Sequence, residues 1–320
     1  MGLAVQLIKG VIPFTPYPYV GQELPCNICS SPEKSVLSDY DRRIKKLRTV
    51  ICSNCGLLRT DPMPTEAELA DYYRTSYRFD YQMAGSKPPR FHLTRSKKLA
   101  GRRLEMLRPA IFDGARVLDF GSGSGEFLAA CKAENCEVTG IEPGESYARY
   151  AEETYGVKVF SSPWEQTDLG PRKFDLITSF HVFEHLRDPR AALNWLCTHL
   201  ADDGVVALSV PNMTRNAKSR HLFEDLHFAH VHGFVPETLE LLGRRCGLEP
   251  DARFATGTTD QMFQKSNSKS AAPSPDPQFA ENLAATFQKN DLFNHLIKFG
   301  WVVDAVNRAR RDVKDTFKSK

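Results

Sequence analysis

The chain has 320 residues and a formal net charge of +3, with 41% hydrophobic and 25% charged residues. This size suits one domain with smaller attachments. Because the net charge is nearly balanced, the molecule as a whole is not expected to bind nucleic acid or an anionic membrane electrostatically. No apolar run is long enough to span a bilayer. A signal peptide would need an apolar helical core near the N-terminus, where this chain has prolines at 13, 16 and 18. The sequence therefore predicts a globular, cytoplasmic protein.

Two cysteine pairs mark the N-terminal region, in the sequences Cys26-Asn-Ile-Cys29 and Cys52-Ser-Asn-Cys55. Two C-x-x-C knuckles separated by 22 residues have the ligand count and spacing of a closed tetrahedral zinc site. A closed site leaves no open coordination position, so its predicted role is structural. We expect Zn²⁺ to be bound by Cys26, Cys29, Cys52 and Cys55.

Changes in composition divide the chain into four regions. They are a zinc-binding module (1–71), a Tyr/Arg-rich lid and helical connector (72–112), a catalytic domain (113–266), and a flexible linker with basic C-terminal helices (267–320). Within the third region, short apolar strands alternate with amphipathic helices, which is typical of an α/β layer fold with a largely parallel sheet. The predicted strands are 116–120, 136–142, 157–160, 174–180, 205–210, 248–254 and 261–265. The predicted helices are 125–134, 146–155, 189–200 and 236–245.

A glycine-rich turn follows the first of these strands, where residues 117–127 read V-L-D-F-G-S-G-S-G-E-F. Glycines let the backbone approach a ligand closely, and Glu142 ends the next strand, where a carboxylate accepts both ribose hydroxyls of an adenosine. The dinucleotide fingerprint requires glycine at the position of Glu126, which argues against NAD and FAD. Acidic residues at 119 and 126 are compatible with the ammonium and sulfonium of S-adenosylmethionine (SAM).

These residues resemble the class I SAM-dependent methyltransferases over roughly residues 115–265. The glycine turn is similar to their first motif and Ile141-Glu-Pro143 to their second, while residues 174–186 and 204–212 are similar to their fourth and fifth strands. The resemblance implies a Rossmann-like α/β fold with a seven-stranded sheet. It also implies cofactor contacts from Asp119, Gly121, Ser122, Gly123, Gly125, Glu142, Pro143, Ser162, Trp164, Phe180 and Tyr77.

Two groups of histidines follow predicted strands, in residues 181–185 (H-V-F-E-H) and 227–232 (H-F-A-H-V-H). Both lie at the carboxyl edge of the sheet, where open α/β folds bind ligands, and an imidazole takes up a proton near neutral pH. We predict His181, His185 and His230 as catalytic residues; which one is the base, and whether any is only structural, stays open. Some quinone-pathway O-methyltransferases carry an E-x-x-E-H motif linked to a divalent ion here, and His181 replaces its first acid.

The cysteine module, followed by residues 61–73 and Tyr77, resembles the N-terminal region of sugar C-methyltransferases. The resemblance implies that Tyr73 and Tyr77 belong to a lid over SAM and the acceptor, and that the acceptor is a small molecule, a sugar or a nucleotide sugar. Those enzymes carry a further large C-terminal domain, where we expect only a linker and a short tail. Two alternatives stay open: an RNA methyltransferase that binds through the basic run 41–48 and the basic helices, and a binding protein without catalysis. The sequence does not indicate an oligomeric state.

Overall fold

The computed structural model describes residues 14–75, 88, 90–214, 226–255, 257–266 and 274–288. Tyr77, most of the predicted linker and residues 289–320 lie outside these ranges. The N-terminal elements are β1 (Lys34–Tyr40), β2 (Lys46–Cys52), β3 (Leu58–Thr60) and α1 (Glu66–Thr75). The cysteine knuckles are the loops that precede β1 and that join β2 to β3.

The following elements alternate between helix and strand. They are α2 (Arg90–Met106), β4 (Arg116–Phe120), α3 (Glu126–Ala133), β5 (Glu137–Ile141), α4 (Glu145–Tyr155), β6 (Lys158–Phe160), β7 (Phe174–Phe180), α5 (Pro189–Thr198), β8 (Leu200–Ser209), β9 (His232–Gly233), α6 (Pro236–Arg245), β10 (Leu248–Pro250), β11 (Asp260–Lys265) and α7 (Pro277–Gln288). The predicted α/β fold is thereby confirmed.

Seven strands form the main sheet in the order β10-β11-β8-β7-β4-β5-β6, and all are parallel except β11. Strand β7 is buried along almost its whole length, because helices cover both faces of a parallel sheet. The chain runs from β4 outward to β5 and β6, then returns to β7 on the other side of β4. A crevice therefore opens at the carboxyl ends of β4 and β7, where such sheets bind their ligands.

Two strands differ from their predicted bounds by more than one residue: β10 ends at Pro250 rather than at 254, and β8 begins early. Strand β8 starts at Leu200 rather than at 205, because Leu200 pairs with Phe174 ahead of a register shift between β7 and β8. The intervening polar residues Asp202 and Asp203 are typical of a loop, so their pattern hides the start of the strand. The preceding helix correspondingly ends at Thr198.

The N-terminal module and the α/β domain share one hydrophobic core. Strand β9, from the loop after β8, completes a four-stranded antiparallel sheet with β1, β2 and β3. The buried thiols Cys26, Cys52 and Cys55 belong to the same apolar cluster as Leu118 of β4 and Phe183 beyond β7. The knuckles are consequently held against the main sheet rather than carried on a separate domain.

The C-terminal helix α7 packs on this module. Its buried face, Leu283 and Phe287, belongs to a cluster with Ile51 and Leu58, and Phe279 packs beside it. The composition predicted basic helices beyond the linker, but α7 contains no lysine or arginine. The described part of the C-terminal region therefore packs against the module through apolar side chains.

The basic run of residues 41–48 does not form a continuous solvated face. Lys45 is 1% exposed, its Nζ donates to Thr15 Oγ1 at 2.7 Å and it lies over the Tyr17 ring. Arg48 is exposed but pairs with Asp39. Lys45 is therefore lost from the basic surface that the RNA alternative would use, whereas Lys46 and Arg48 stay exposed. Within the described residues, no helix combines the length and the apolar character needed to cross a membrane.

Candidate functional site

The glycine-rich turn between β4 and α3 needs glycine for two different reasons. Gly121, Gly123 and Gly125 all have positive φ angles, at 81°, 53° and 86°. A Cβ atom at Gly121 would lie 2.3 Å from Val182 Cγ2, whereas a Cβ at Gly123 would meet nothing within 4 Å. Packing therefore excludes a side chain at Gly121, while Gly123 lies against open space in the crevice.

Glu142 lies directly beyond β5 and faces this turn. Its Oε2 accepts a hydrogen bond from the Gly123 amide at 2.9 Å, and its Oε1 accepts one from the Gly144 amide at 2.8 Å. Burial raises the pKa of this carboxyl group, and the two amide donors partly offset that effect. The turn and the acid that the sequence predicted as a pair are thus brought together by direct contact.

Asp119, the last polar residue of β4, is buried under the turn. Thr178 on the neighbouring β7 donates to its Oδ1 at 2.7 Å. Burial raises the pKa of Asp119 to about 6, and the Thr178 hydrogen bond and the charge of Arg103 partly offset this effect. The Arg103 guanidinium lies 3.9 Å from the centre of the Phe180 ring. The Arg103 cation and the Phe180 ring, which ends β7, therefore lie beside the buried Asp119 carboxyl group.

Replacing Asp119 by Asn is expected to change how stability depends on pH. Because the pKa of Asp119 in the folded chain exceeds its value of 3.8 in the unfolded chain, its stabilising contribution is complete below pH 4 and is lost as the pH rises through 6. The variant has no such loss, so its free energy of unfolding relative to the parent chain should rise by about 3 kcal/mol between pH 4 and 7. Thermal unfolding over this range measures the difference, and a constant offset would contradict the assignment.

The other predicted cofactor residues occupy mixed positions. The Ser122 hydroxyl is buried against β5, 2.6 Å from the place where a Cβ of Gly140 would stand. Pro143 is exposed beside Glu142, and Ser162 exchanges a hydrogen bond with Thr167 beyond β6. Trp164 is half-buried against Trp195. Glu126 is buried and accepts from the Ser124 hydroxyl at 2.7 Å, an interaction that supports the start of α3.

His181 and His185 lie beyond β7, on the side of the crevice opposite Glu142. His181 has φ 59° and its amide donates to Ser209 O at 2.7 Å, so its backbone is held in the left-handed region that non-glycine residues rarely adopt. Its side chain is 55% exposed, whereas that of His185 is 18% exposed. The strained backbone thus presents His181 to solvent at the mouth of the crevice.

The His185 ring is fixed by the second histidine group. Its Nδ1 lies 2.8 Å from Ala229 O and 3.1 Å from the Tyr73 hydroxyl, which comes from α1. A carbonyl oxygen only accepts, so Nδ1 carries the ring hydrogen and Nε2 is the basic nitrogen with the lone pair. The His230 ring centre lies 4.8 Å from that of His185. The structure therefore brings His185, His230 and Tyr73 together.

Glu184 was not predicted as a site residue, although it stands at the second acid of the E-x-x-E-H pattern. It is 2% exposed, and neither carboxylate oxygen has a hydrogen-bond partner among the described residues. Its Oε1 lies 3.5 Å from His181 Nδ1 and 3.9 Å from His185 Nε2. Glu184, His185 and His230, here called the acid–histidine cluster, each offer one ligand atom within 4.8 Å of the others. A buried carboxylate facing a basic nitrogen needs a proton or a metal cation between them.

The four cysteines also converge. All four Sγ atoms lie within 4.8 Å of one another, with 3.5 Å between Cys26 and Cys55 and 3.5 Å between Cys29 and Cys52. Zinc–sulfur bonds of about 2.3 Å in a tetrahedron place the sulfur atoms about 3.8 Å apart. The donor set and its spacing therefore fit a zinc ion, and nothing in this arrangement requires disulfides.

Comparison with known proteins identifies the domain. Residues 91–252, just over half of the chain, match the family model described as Methyltransferase domain. The ubiquinone biosynthesis O-methyltransferase of Photobacterium profundum is 30% identical over 130 residues, which are 39% of this chain and 54% of that protein. That of Paramagnetospirillum magneticum is 33% identical over 121 residues, which are 37% and 48% of the two chains.

The chain thus spans about half the length of the curated relatives that it matches. Among solved structures, a SAM-bound amino pentose methyltransferase of Micromonospora echinaspora is 27% identical, with a TM-score of 0.32 over 43% of this chain and 56% of that chain. The family match is the finding that decides the classification. The chain belongs to the methyltransferase-domain family, and residues 91–252 hold its class I SAM-dependent methyltransferase domain.

Proposed function

We propose that the chain transfers the methyl group of SAM to a small-molecule acceptor, a sugar or nucleotide sugar. The observation that carries the proposal is that two sets of residues lie on opposite sides of the same crevice. The open turn at Gly123 and the Glu142 carboxylate lie on one side, and the acid–histidine cluster lies on the other.

The residues around the turn fit the cofactor. SAM, when bound, supplies an electrophilic methyl carbon on a positively charged sulfur. Gly123 leaves room for a ligand beside the backbone, and Glu142 is an acceptor for ribose hydroxyls. Arg103, beside Phe180, is a cation suited to the carboxylate of the methionine part, and the sequence pattern did not single it out. Asp119 supports the floor of the crevice through Thr178.

His185 is the proposed general base. Its Nε2 is the nitrogen without the ring hydrogen, so it is the atom that takes a proton from the acceptor. The Glu184 carboxylate, 3.9 Å from the same nitrogen, stabilises the imidazolium formed through its negative charge. His230 and His181 then face the acceptor from either side. Since methyl transfer is an in-line displacement, the remaining task of the protein is to position the two reactants.

A second arrangement of the same residues is favoured by their ligand spacing. Glu184, His185 and His230 would hold a divalent ion, which supplies Lewis acidity that lowers the pKa of an acceptor hydroxyl. A chelator distinguishes the two arrangements. If a proton occupies the cluster, transfer survives removal of weakly bound metal; if a divalent ion occupies it, transfer stops and Mg²⁺ or Zn²⁺ restores it.

The acceptor class rests on the N-terminal module. Its resemblance to sugar C-methyltransferases supports a sugar, and the contact between Tyr73 and His185 places α1 beside the proposed base. The ubiquinone biosynthesis O-methyltransferases among the relatives favour a hydroxyl group of a ubiquinone precursor as the second candidate acceptor. We also propose that the module holds one Zn²⁺ through its four cysteines, in a structural role.

The acceptor is tested by incubating the protein with methyl-labelled SAM and a panel of compounds. The panel contains nucleotide sugars, hydroxylated ubiquinone precursors and RNA, and the labelled fraction is identified by its mass. Label in a nucleotide sugar supports the proposal, and label in a ubiquinone precursor supports the second candidate. Label in RNA, or in no member of the panel, would contradict both.

Single replacements of the three histidines by Ala are expected to separate the base from its neighbours. His185→Ala should slow transfer by about 10²- to 10⁴-fold, the contribution of a general base, while SAM affinity stays unchanged. His181→Ala and His230→Ala should have smaller effects on rate. His199→Ala is the matched control, because this residue lies at the end of α5 with Nδ1 against Arg172 O. Full activity in the His185 variant would remove it as the base.

A further inference from the structure

One buried imidazole connects the first cysteine knuckle to the segment that carries His185. Asn27 stands between Cys26 and Cys29, and its Nδ2 donates to Arg187 O at 3.2 Å. The His232 ring lies between Asn27 Oδ1, 3.0 Å from its Nε2, and Leu186 O, 3.0 Å from its Nδ1, and as a neutral imidazole it donates to one of the two. The ring is 2% exposed, so water does not compete for these contacts. The knuckle, together with the His232 ring, thus contacts the backbone carbonyls of Leu186 and Arg187, the two residues that follow His185.

The same imidazole belongs to the other histidine segment. His232 lies in β9 and pairs with Arg59 of β3, immediately after the loop that carries His227 and His230. The module holds this loop at both ends, because the Thr60 amide donates to Val231 O at 2.9 Å and the Arg42 amide donates to Leu226 O at 2.8 Å. Both histidine segments are therefore hydrogen-bonded to the module.

The glycine turn and Glu142, on the proposed cofactor side of the crevice, are held by hydrogen bonds that do not involve the module. The amides of Gly121 and Ser122 donate to Ile141 O, and Glu142 accepts from Gly123 and Gly144. These bonds lie within the α/β domain, on β4 and β5, and involve no residue of the module. A disturbance of the knuckle would therefore reach the histidines before it reaches the glycine turn.

We infer that the four-cysteine site positions the histidines for methyl transfer, with Asn27 and His232 as the positioning residues. This inference rests on the proposed function of those histidines. Asn27 is 205 residues from His232 and 160 from Arg187, so these contacts form only in the folded chain, where they add to the direct contact between His185 and Ala229 O. A displacement of about 1 Å at a reacting group is enough to cost about 100-fold in rate.

Amide hydrogen exchange of the metal-loaded full chain tests the link without an acceptor. Asn27→Ala removes the link but keeps all four cysteines. Asn54→Ala is the control, because Asn54 is likewise an asparagine between the two cysteines of a knuckle, in the pair Cys52 and Cys55. We expect Asn27→Ala to speed exchange by about tenfold or more in residues 181–187 and 226–233 and to leave residues 116–142 unchanged. Bound zinc and SAM affinity should match those of the parent chain.

Transfer to a panel compound that accepts the label gives the second readout. The inference predicts a fall of about 100-fold in kcat for Asn27→Ala and less than about twofold for Asn54→Ala, with the KM for SAM unchanged in both. Unchanged exchange in both histidine segments, or equal effects of the two variants, would overturn the inference. A parent chain that fails to bind SAM would refute the proposed function instead, and the exchange result would still judge the link.

Discussion

Gly123→Ala is expected to lower SAM affinity by more than about 100-fold. The substitution places a methyl group in the open space of the crevice, where the proposed cofactor has to lie against the backbone. It also puts a non-glycine residue at φ 53°, which costs about 1 kcal/mol of stability. Isothermal titration with SAM measures the first effect, and thermal unfolding measures the second.

Gly170→Ala separates these two contributions. Gly170 has φ 61° and, like Gly123, has nothing within 4 Å of the place where a Cβ would stand, but it lies in the turn before β7. Its replacement should cost a similar free energy of unfolding and leave SAM affinity unchanged. Similar SAM affinities in the two variants would mean that the crevice at Gly123 is not the cofactor site.

Cys55→Ser is expected to remove the metal and to lower the melting temperature by about 10 °C or more. A structural zinc site contributes several kcal/mol to folding, and about 1 kcal/mol shifts the melting temperature by roughly 2–4 °C in a domain of this size. The loss should spread beyond the module, because Cys55 is 2% exposed and packs in the core that contains Leu118 and Phe183. Bound zinc and the thermal transition are the two measurements.

Cys197→Ser serves as the control for this change. Cys197 is half-buried on α5, outside the cysteine cluster, so its replacement should keep the bound zinc and most of the stability. A structural zinc site would be contradicted if the parent chain were purified without metal and its melting temperature did not respond to added zinc or to a chelator.

Local sequence signals were enough to predict the glycine turn and the position of Glu142 beside it. The strand, the glycine turn and the start of α3 are contiguous, and the pattern of apolar residues predicted β4 and β7 with their observed ends. The carboxylate of Glu142 follows from the same pattern, because the ends of neighbouring parallel strands meet at one edge. The cysteine cluster could also be predicted from the sequence, because the spacing of the two C-x-x-C pairs alone identifies the four cysteines that converge.

The other side of the crevice depends on contacts that leave no periodic signal. His185 is fixed by Ala229, 44 residues away, and His232 meets Asn27 across 205 residues. Glu184 gave one local signal, its match to the second acid of the E-x-x-E-H pattern, but its burial becomes evident only in the fold. Arg103 was hidden in a generally basic helix, where charge does not tell which residue turns toward Phe180.

Burial also overrode composition at two places. Lys45 lies in a run that the sequence presents as a charged surface, but its stem and ammonium pack against Tyr17 and Thr15. Helix α7 was expected to be basic from the composition of the whole C-terminal region, yet its own residues form an apolar face for the module. Composition averaged over a region does not resolve such faces.

Calorimetric titration of the purified parent chain with SAM, and in parallel with NAD, decides whether the glycine turn and Glu142 form a SAM site. We expect one SAM site per chain, no response to NAD, and loss of the SAM signal in Gly123→Ala but not in Gly170→Ala. Binding of NAD in place of SAM, or a chain that binds neither, would show that the crevice has another occupant.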